Sequence, residues 1–182
     1  MEDLIQRGKA PGVKVSYGSA GVGSLSHITG ERLNAGTGTR YLHVPYKGTG
    51  QLMTAILGGE VDYTYVVGSA ASGHLKSGTL RPLAVIDSVR APSLPDVPTL
   101  KEAIKLDGFT QTAWFGLLAP ARTPQPVVEL LHRKIATVLN RPEIRARLDQ
   151  ESAVAWPVGP DKLAAVLKAD APIYAEAAKI IK

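Results

Sequence analysis

A glycine- and serine-rich segment, residues 17–24 (YGSAGVGS), offers the clearest chemistry in this sequence. It follows an apolar run, residues 13–17, that predicts a strand, and it precedes a periodic pattern that predicts a helix beginning at Ser24. A turn from the end of a strand to the start of a helix leaves backbone N–H groups unpaired at the positive end of the helix dipole. The segment therefore predicts a site for an anion, either a carboxylate or a phosphate.

A second turn of the same kind, residues 44–50 (VPYKGTG), follows another predicted strand. Lys47 would bring a positive charge to the mouth of an anion site, and Tyr46 would bring a wall and a hydroxyl group. Both side chains also fit an ordinary surface loop. Two such turns at strand ends in one small α/β unit indicate that the protein holds a small anion.

Two further side chains are candidates for the same site. His27 falls on the first turn of the helix that follows the first segment, where it either contacts the ligand or lies on the helix surface. Trp114 lies in the apolar run TAWFGLL and belongs either to the core or to the wall of a cleft.

The nucleotide-binding motifs fail at their decisive positions. Gly18 and Gly23 have the spacing of a Walker A loop, but Ser24 stands where the phosphate-binding lysine belongs. Gly21 and Gly23 fit the dinucleotide pattern, but Ser26 occupies the third glycine position. The sequence therefore disfavours a nucleotide ligand.

A serine hydrolase is the rival interpretation of the first segment. Residues 17–21 (YGSAG) nearly match a nucleophile elbow, in which Ser19 would be the nucleophile with an aspartate and His132 downstream. The tight elbow requires a small residue where Tyr17 stands. In the alternative, Ser19 hydrogen-bonds the turn or a ligand.

Composition excludes several other kinds of function. The chain of 182 residues has no cysteine, so disulfides and thiol chemistry are excluded, and its four histidines show no metal-ligand spacing. We expect no metal and no cofactor. The net charge of +5 is scattered and the aromatic content is only 5%, which disfavours a nucleic-acid surface. No apolar run reaches the roughly 20 residues that cross a bilayer, and residues 1–9 lack the apolar core of a signal peptide.

The remaining sequence alternates between strand and helix patterns, which predicts an α/β fold with a largely parallel sheet and helices on both faces. The predicted strands are residues 13–17, 40–44, 62–67, 80–86, 112–119 and 153–158. The predicted helices are residues 24–35, 50–58, 69–76, 99–106, 125–140, 142–150 and 160–181.

Helix boundaries are marked by capping residues and prolines. Thr99 and Glu102 have the spacing of a capping box, and Thr123 before Pro124 predicts another N-cap. Pro172 inside the last pattern predicts a kink or a break. Composition becomes mostly helical after residue 120, and we place a boundary between two lobes near Gly108.

Six motifs, in this order and spacing, resemble the extracytoplasmic solute receptors of tripartite tricarboxylate transporters, the Bug receptor family. They are YGSAG with the following GS and His27, VPYKG, LGGEVD, LRPLAV, LPDVPT and WFGLLAP. The resemblance implies a fold of the periplasmic binding protein type II, with two α/β lobes and a ligand cleft between them. It also implies capture of carboxylates, often dicarboxylates, for a membrane permease, no enzymatic activity and a periplasmic location.

We call residues 17–24 the first turn and residues 44–50 the second turn. The resemblance implies that the first turn supplies backbone and hydroxyl donors to a carboxylate, and that the second turn lines the same lobe. With the two side chains considered above, the candidate ligand-binding residues are Ser19, Ala20, Gly21, Val22, Gly23, Ser24, His27, Tyr46, Lys47, Gly48, Thr49 and Trp114.

The chain departs from the family in two respects. Members are longer, so that residues 10–108 would form the complete second lobe, and residues 109–182 would be a crossover strand and the C-terminal helices of an incomplete first lobe. Residues 66–69 (VVGS) also stand where the family often has an aspartate. Three expectations follow. Binding of the ligand would be weak. Apolar surface of the C-terminal segment that the absent part of the first lobe would otherwise cover would favour a homodimer. The location would be cytoplasmic if the truncation is natural. A degenerate remnant without binding function is the further alternative.

Overall fold

The protein is described by a computed structural model, which covers residues 1–106, 109, 113–151 and 153–181. The strands in this part of the chain are β1 (Ser16–Ser19), β2 (Leu42–Pro45) and β3 (Tyr63–Thr64). The helices are α1 (Glu2–Lys9), α2 (Leu25–Thr37), α3 (Thr49–Leu57), α4 (Gly68–Lys76), α5 (Leu100–Ile104), α6 (Gln125–Leu139), α7 (Pro142–Gln150) and α8 (Pro160–Ile180). None of these helices is both long and apolar enough to cross a membrane.

The three strands form one parallel sheet in the order β2–β1–β3. Tyr17 in the central strand lies opposite His43 on one side and Tyr63 on the other. Each strand leads into a helix, so the sheet is built from successive strand–helix units, as the alternating pattern predicts. Because the strands are parallel, the helices that follow them all begin at the same edge of the sheet.

The hydrophobic core lies around the central strand. Tyr17 and Leu33 are fully buried, and they pack in one cluster with the buried ring of Tyr41. Gly30 makes this packing possible, because a Cβ at this position in α2 would collide with the ring of Tyr17. The close approach fixes α2, and with it the first turn, on the sheet.

Three predicted strands do not form in the described residues. Residues 80–86 contribute only an isolated bridge between Val85 and Thr99. Residues 113–119 and 153–158 carry no strand, and Phe115, Leu117 and Val154 are 84%, 77% and 77% exposed. An apolar, β-rich run becomes a strand only when a neighbouring strand pairs with it. Residue 112, the first of the predicted strand 112–119, lies outside the described residues.

The helix boundaries were mostly predicted correctly. Thr99 and Glu102 form the predicted capping box at α5. Thr123 does not cap α6, because its N-cap is Pro124 and no side-chain hydrogen bond is made there. The helix α8 continues through Pro172 without a break. The helix α1 was not predicted from the sequence, and the predicted lobe boundary near Gly108 falls outside the described residues.

Candidate functional site

The carboxyl edge of the sheet brings three helix N-termini together. The helices α2, α3 and α4 begin directly after β1, β2 and β3, which are neighbours in the sheet. Ligands of open α/β sheets bind outside the carboxyl ends of the strands, where helix dipoles place positive potential. We call this edge the binding rim and define it by residues 19–26, 46–51 and 66–69.

Most N–H groups of the first turn are occupied by hydrogen bonds within the turn or to side chains at the start of α2. Ala20 N donates to Ser26 Oγ (3.0 Å), and Gly21 N donates to Ser19 Oγ (3.2 Å). Gly23 N donates to His27 Nδ1 (3.1 Å). Ser24 N donates to the carbonyl of Gly21 (3.1 Å) and is therefore also occupied. The expectation that the whole segment 19–24 presents free donors is therefore too broad.

Three N–H groups around the first turn remain for a ligand. Within the described residues, the amides of Val22, Leu25 and Ser26 have no hydrogen-bond partner. Val22 is 70% exposed at the tip, and Ser24 is the N-cap whose side chain accepts from His27 N. The free donors therefore lie at the tip of the glycine-rich segment, at Val22, and at the first two residues of α2, Leu25 and Ser26.

The second turn is joined to the first by two backbone hydrogen bonds. Tyr46 N donates to the carbonyl of Ser19 (2.9 Å), and Gly48 N donates to the carbonyl of Ala20 (3.1 Å). Gly48 is the N-cap of α3 with a φ of 100°, a conformation that strongly favours glycine. The amides of residues 49–51, at the start of α3, have no partner among the described residues.

The side chains of the second turn differ in what they leave available to a ligand. The hydroxyl of Tyr46 donates to Glu60 Oε2 (3.2 Å), so it is occupied within the protein. Burial and this hydrogen bond raise the pKa of Tyr46. Lys47 and Thr49 are exposed, with Lys47 N donating to Gln51 Oε1 (3.1 Å). Only Lys47 among these side chains offers a free positive charge to the rim.

The third helix N-terminus was missed as a source of donors. No side chain caps α4, whose N-cap is Val67, and the amides of Gly68 and Ser69 have no partner in the described part of the chain. The signal was present in the sequence, because a predicted strand is followed by Gly68 and Ser69 at a predicted helix start.

A largely buried polar cluster, formed by Ser19, His27 and His43, packs beneath the surface of the first turn and holds it in place. Ser19 is fully buried, and its Oγ lies 2.6 Å from His43 Nε2. The rings of His43 and His27 stack with centroids 3.8 Å apart, and His27 is only 4% exposed. Ser19 and His27 therefore hold the turn rather than reach its surface. Burial lowers the pKa of both histidines, and repulsion from His27 lowers that of His43 further.

This arrangement does not match the alternative of a serine hydrolase. The histidine beside Ser19 is His43 and not His132, and among the described residues no carboxylate hydrogen-bonds to His43. The nearby Glu31 accepts instead from the hydroxyl of Tyr17 (2.6 Å). A nucleophilic serine must reach its substrate, whereas Ser19 has no exposed surface.

Trp114 lies against α8. Its Nε1–H donates to Asp170 Oδ2 (3.0 Å), and the side chain is half-buried. The structure thus brings the two predicted turns together, while Trp114 pairs with the C-terminal helix. Its place in a ligand cleft stays a prediction.

The binding rim is partly exposed: Val22, Gly23, Lys47 and residues 49–51 are exposed, whereas Ser19 and Ser26 are buried. A cavity of about 480 Å³ is lined by the Arg90–Glu102 ion pair and its neighbours, and one of about 290 Å³ is lined by residues that include Arg7 and Arg81. Neither cavity includes a residue of the rim. Among the described residues, no group of three or more histidine and carboxylate side chains is placed to hold a metal ion.

Comparison with known proteins identifies the family. Residues 1–170 match the model of the tripartite tricarboxylate transporter family receptor. The chain belongs to this family. A UPF0065 protein of Pseudomonas sp. (strain P51) is 33% identical over 86% of the chain and 47% of its own length. BugT of Bordetella pertussis is 33% identical over 76% of the chain and 42% of its own length.

Solved structures show the same fold. R. palustris Rpa4515 with adipate has a TM-score of 0.92 and 28% identity, over 100% of this chain and 60% of its own. The periplasmic binding protein BugD has a TM-score of 0.85 and 32% identity, over 97% and 59%. MatC of Rhodopseudomonas palustris with bound malate has a TM-score of 0.78 and 30% identity, over 92% and 57%.

These comparisons confirm the predicted family and the predicted α/β solute-binding fold. The receptor family consists of binding proteins, and nothing in the comparisons supports a hydrolase. The chain spans about half the length of the curated relatives that it matches.

Proposed function

We propose that the chain is the carboxylate-binding part of a solute receptor that passes small carboxylates, above all dicarboxylates, to a membrane permease. The observation that carries the proposal is the convergence of three helix N-termini on one sheet edge, with free amides at α2, α3 and α4. Two family structures carry adipate and malate in their names, and both are dicarboxylates. The role is capture and release, without catalysis, in the periplasm, where BugD is placed by its name.

Backbone amides suit this task because they recognise a carboxylate without adding a mobile counter-charge. A carboxylate oxygen accepts up to two hydrogen bonds, and the helix dipoles contribute partial positive charge at the same place. Lys47, exposed at the rim, adds attraction over a longer range. The second carboxylate of a dicarboxylate would lie beyond the rim, toward the other wall of a cleft.

We infer the division of the chain from the same arrangement. Residues 10–108 are proposed as the complete second lobe, and residues 109–182 as part of the first lobe. A binding cleft gains from two walls, and the rim is an open surface here. We therefore expect millimolar affinity for this chain alone, about −4 kcal/mol. Submicromolar binding of a dicarboxylate to a monomer would contradict this division.

A matched pair of glycine variants tests the site. Gly23 in the first turn and Gly12 before β1 both have a φ of 77°, and a Cβ at either position meets no atom within 4 Å. Each substitution to alanine therefore carries a similar backbone strain, about 1 kcal/mol. Gly23→Ala should weaken adipate binding at least about tenfold, because the strain displaces the donors of the turn, whereas Gly12→Ala should leave it unchanged.

The measurement is an amide chemical-shift titration with adipate. Shifts should concentrate on Val22, Leu25, Ser26 and residues 49–51. No shifts in the unchanged protein, or equal losses in both variants, would remove the rim from the proposed function.

We further propose that a second copy of the chain covers its exposed C-terminal surface. The accessible surface is 11,664 Å². A compact monomer of this mass exposes about 8,500 Å², so roughly 3,000 Å² more is uncovered on each copy. Two copies would together bury up to about 6,000 Å², at the upper end of obligate dimer interfaces. The helix α8 lies beside α2, but none of the described side chains of α6, α7 or α8 is buried. A compact monomer, in which these helices would pack over the first part of the chain and bury their apolar side chains, is therefore not what the structure shows.

A further inference from the structure

The buried histidine pair joins both turns of the binding rim. His43 lies on β2, just before the second turn, and His27 lies on the first turn of α2. Their rings are nearly parallel, with an interplanar angle of 9° and a centroid separation of 3.8 Å. His43 Nε2 lies 2.6 Å from Ser19 Oγ, which in turn accepts from Gly21 N. His27 Nδ1 accepts from Gly23 N.

The contact with Gly23 fixes the protonation state of His27. An imidazole nitrogen accepts a hydrogen bond only when it carries no proton, so His27 is neutral with its proton on Nε2. A proton added to Nδ1 would place two donors against each other, at a separation that now holds a 3.1 Å hydrogen bond. The amide of Gly23 would then lose its partner, and the turn would lose one of its internal restraints.

We propose that His27, stacked on His43, is a positioning residue that keeps the first turn in its binding conformation only while its ring is neutral, so that carboxylate capture weakens in acid. This inference rests on the proposed function, because it concerns the same turn.

The surroundings of the pair favour the neutral rings. Among the described residues, the groups that interact electrostatically with the histidines are Glu31 on α2 and the two histidines themselves, and the ring of Tyr17 on β1 stacks on His43. The charge of Glu31 favours protonation, but this carboxylate already accepts from the Tyr17 hydroxyl. Burial opposes the charged form more strongly and lowers the pKa of both rings.

The sign of the pH effect follows from these shifts. Both pKa values lie below the ordinary histidine value of about 6.5, so the rings are neutral at pH 7 and the turn is intact. As the pH falls below about 6.5, the unfolded or opened state takes up protons before the closed turn does. A proton on each ring would also place two positive charges in stacked contact. The binding conformation is therefore lost only in the acid range.

Two variants separate protonation from packing. His27→Asn keeps an acceptor oxygen at the position of Nδ1, and this oxygen does not titrate. His27→Phe keeps a ring for stacking but has no acceptor. His74→Asn, on α4 beside Thr79, is the control for loss of a histidine elsewhere.

The first measurement follows the Gly23 amide by NMR between about pH 7.5 and pH 5. In the unchanged protein, the Gly23 signal should move together with the ring signals of His27. In His27→Asn it should keep its pH 7.5 position throughout, and in His27→Phe it should be displaced at every pH. A Gly23 signal that does not follow the titration of His27 in the unchanged protein would overturn the inference, and this test needs no variant to fold.

The second measurement compares adipate affinity at the same two pH values. Adipate itself titrates in this range, so the ratio of affinities is taken relative to His27→Asn, which experiences the same change in ligand. The unchanged protein and His74→Asn should lose at least about fivefold more affinity than His27→Asn. Equal losses in all three proteins would overturn the inference. No adipate binding at pH 7.5 in any of them would instead contradict the proposed function and leave the Gly23 test to decide the role of the histidines.

Discussion

The two parts of the chain differ in what they bury. Every buried hydrophobic side chain among the described residues lies before residue 110, from Ile5 on α1 to Phe109. Residues 113–151 and 153–181 contain three helices with apolar stripes, but none of their described side chains is buried. The first part therefore stabilises itself, whereas the second presents apolar surface for another partner to cover.

This difference explains where the binding rim lies. The rim belongs to the part that has its own core, and its turns are fixed by backbone hydrogen bonds and by the packing of α2 on Tyr17. A site of backbone donors needs such rigidity, because the donors cannot be repositioned by side-chain rotation. The second part contributes surface, and the proposed dimer would cover that surface without changing the rim.

The largest expected effect comes from opening the core. Leu33 is fully buried on α2, and Leu130 on α6 is 47% exposed. Leu33→Ala should lower the free energy of unfolding by about 3 kcal/mol, because it leaves a cavity beside Tyr17. Leu130→Ala removes the same atoms from a side chain that is already about half exposed to solvent. It should lower the free energy of unfolding by less than about 1 kcal/mol.

Urea unfolding of both variants at low protein concentration, where association is weak, provides the measurement. Equal losses of stability would show that the two parts share one core, which would remove the basis of the comparison.

The next effect concerns association. Leu117 in the second part is 77% exposed, and Val89 in the first part is 67% exposed. If a second copy covers the C-terminal surface, Leu117→Asp should weaken self-association at least about tenfold by burying an unpaired charge. Val89→Asp introduces the same charge outside the proposed interface and should leave association unchanged.

Light scattering over a range of concentrations measures this effect. The unchanged chain should approach twice its mass of 19.3 kDa as concentration rises. A mass that stays at 19.3 kDa at every concentration would rule out the dimer.

The sequence predicted well those features that depend on neighbouring residues in the chain. The strand–turn–helix units around Ser24 and Gly48, and the capping box at Thr99, are local patterns with fixed spacing. It failed for runs such as residues 113–119, because pairing depends on a partner strand that the run itself does not specify. The helix α1 was not predicted because it is only eight residues long and its two large apolar side chains, Leu4 and Ile5, are adjacent in sequence and show no period.

The candidate binding site shows the same limit. The two turns were predictable because glycine, serine and a following helix pattern mark them directly. The hydrogen bonds that occupy most donors of the first turn were not, because they depend on side-chain rotamers of Ser19, Ser26 and His27. The stacking of His27 on His43 joins a helix to a neighbouring strand, and sequence separation concealed that contact.

The smallest expected change in stability comes from the helix caps. One predicted cap lies in each part of the chain, so the two can be compared. Thr99 forms the cap of α5: its side chain accepts from Glu102 N (3.2 Å), and Glu102 Oε2 accepts from Thr99 N (2.7 Å). Thr123 precedes α6 with no capping hydrogen bond. Thr99→Ala should lower the free energy of unfolding by about 1 kcal/mol, because it leaves an amide at the helix start unpaired. Thr123→Ala should change it by no more than a few tenths, about 0.3 kcal/mol.

The cap of α5 also carries a pH dependence that α6 lacks. The hydrogen bonds from Arg90 and from the Thr99 amide lower the pKa of Glu102 to about 2. Its contribution is therefore complete above the ordinary glutamate value of about 4.3 and declines as the pH falls toward 2. Glu102→Ala removes this carboxylate, whereas Thr99→Ala keeps the backbone amide that donates to it, so the cost of Glu102→Ala, measured by urea unfolding, should shrink between about pH 6 and pH 3. A cost of Glu102→Ala that is the same at both pH values, or equal costs for Thr99→Ala and Thr123→Ala, would show that the capping box does not stabilise the first part in the way its geometry indicates.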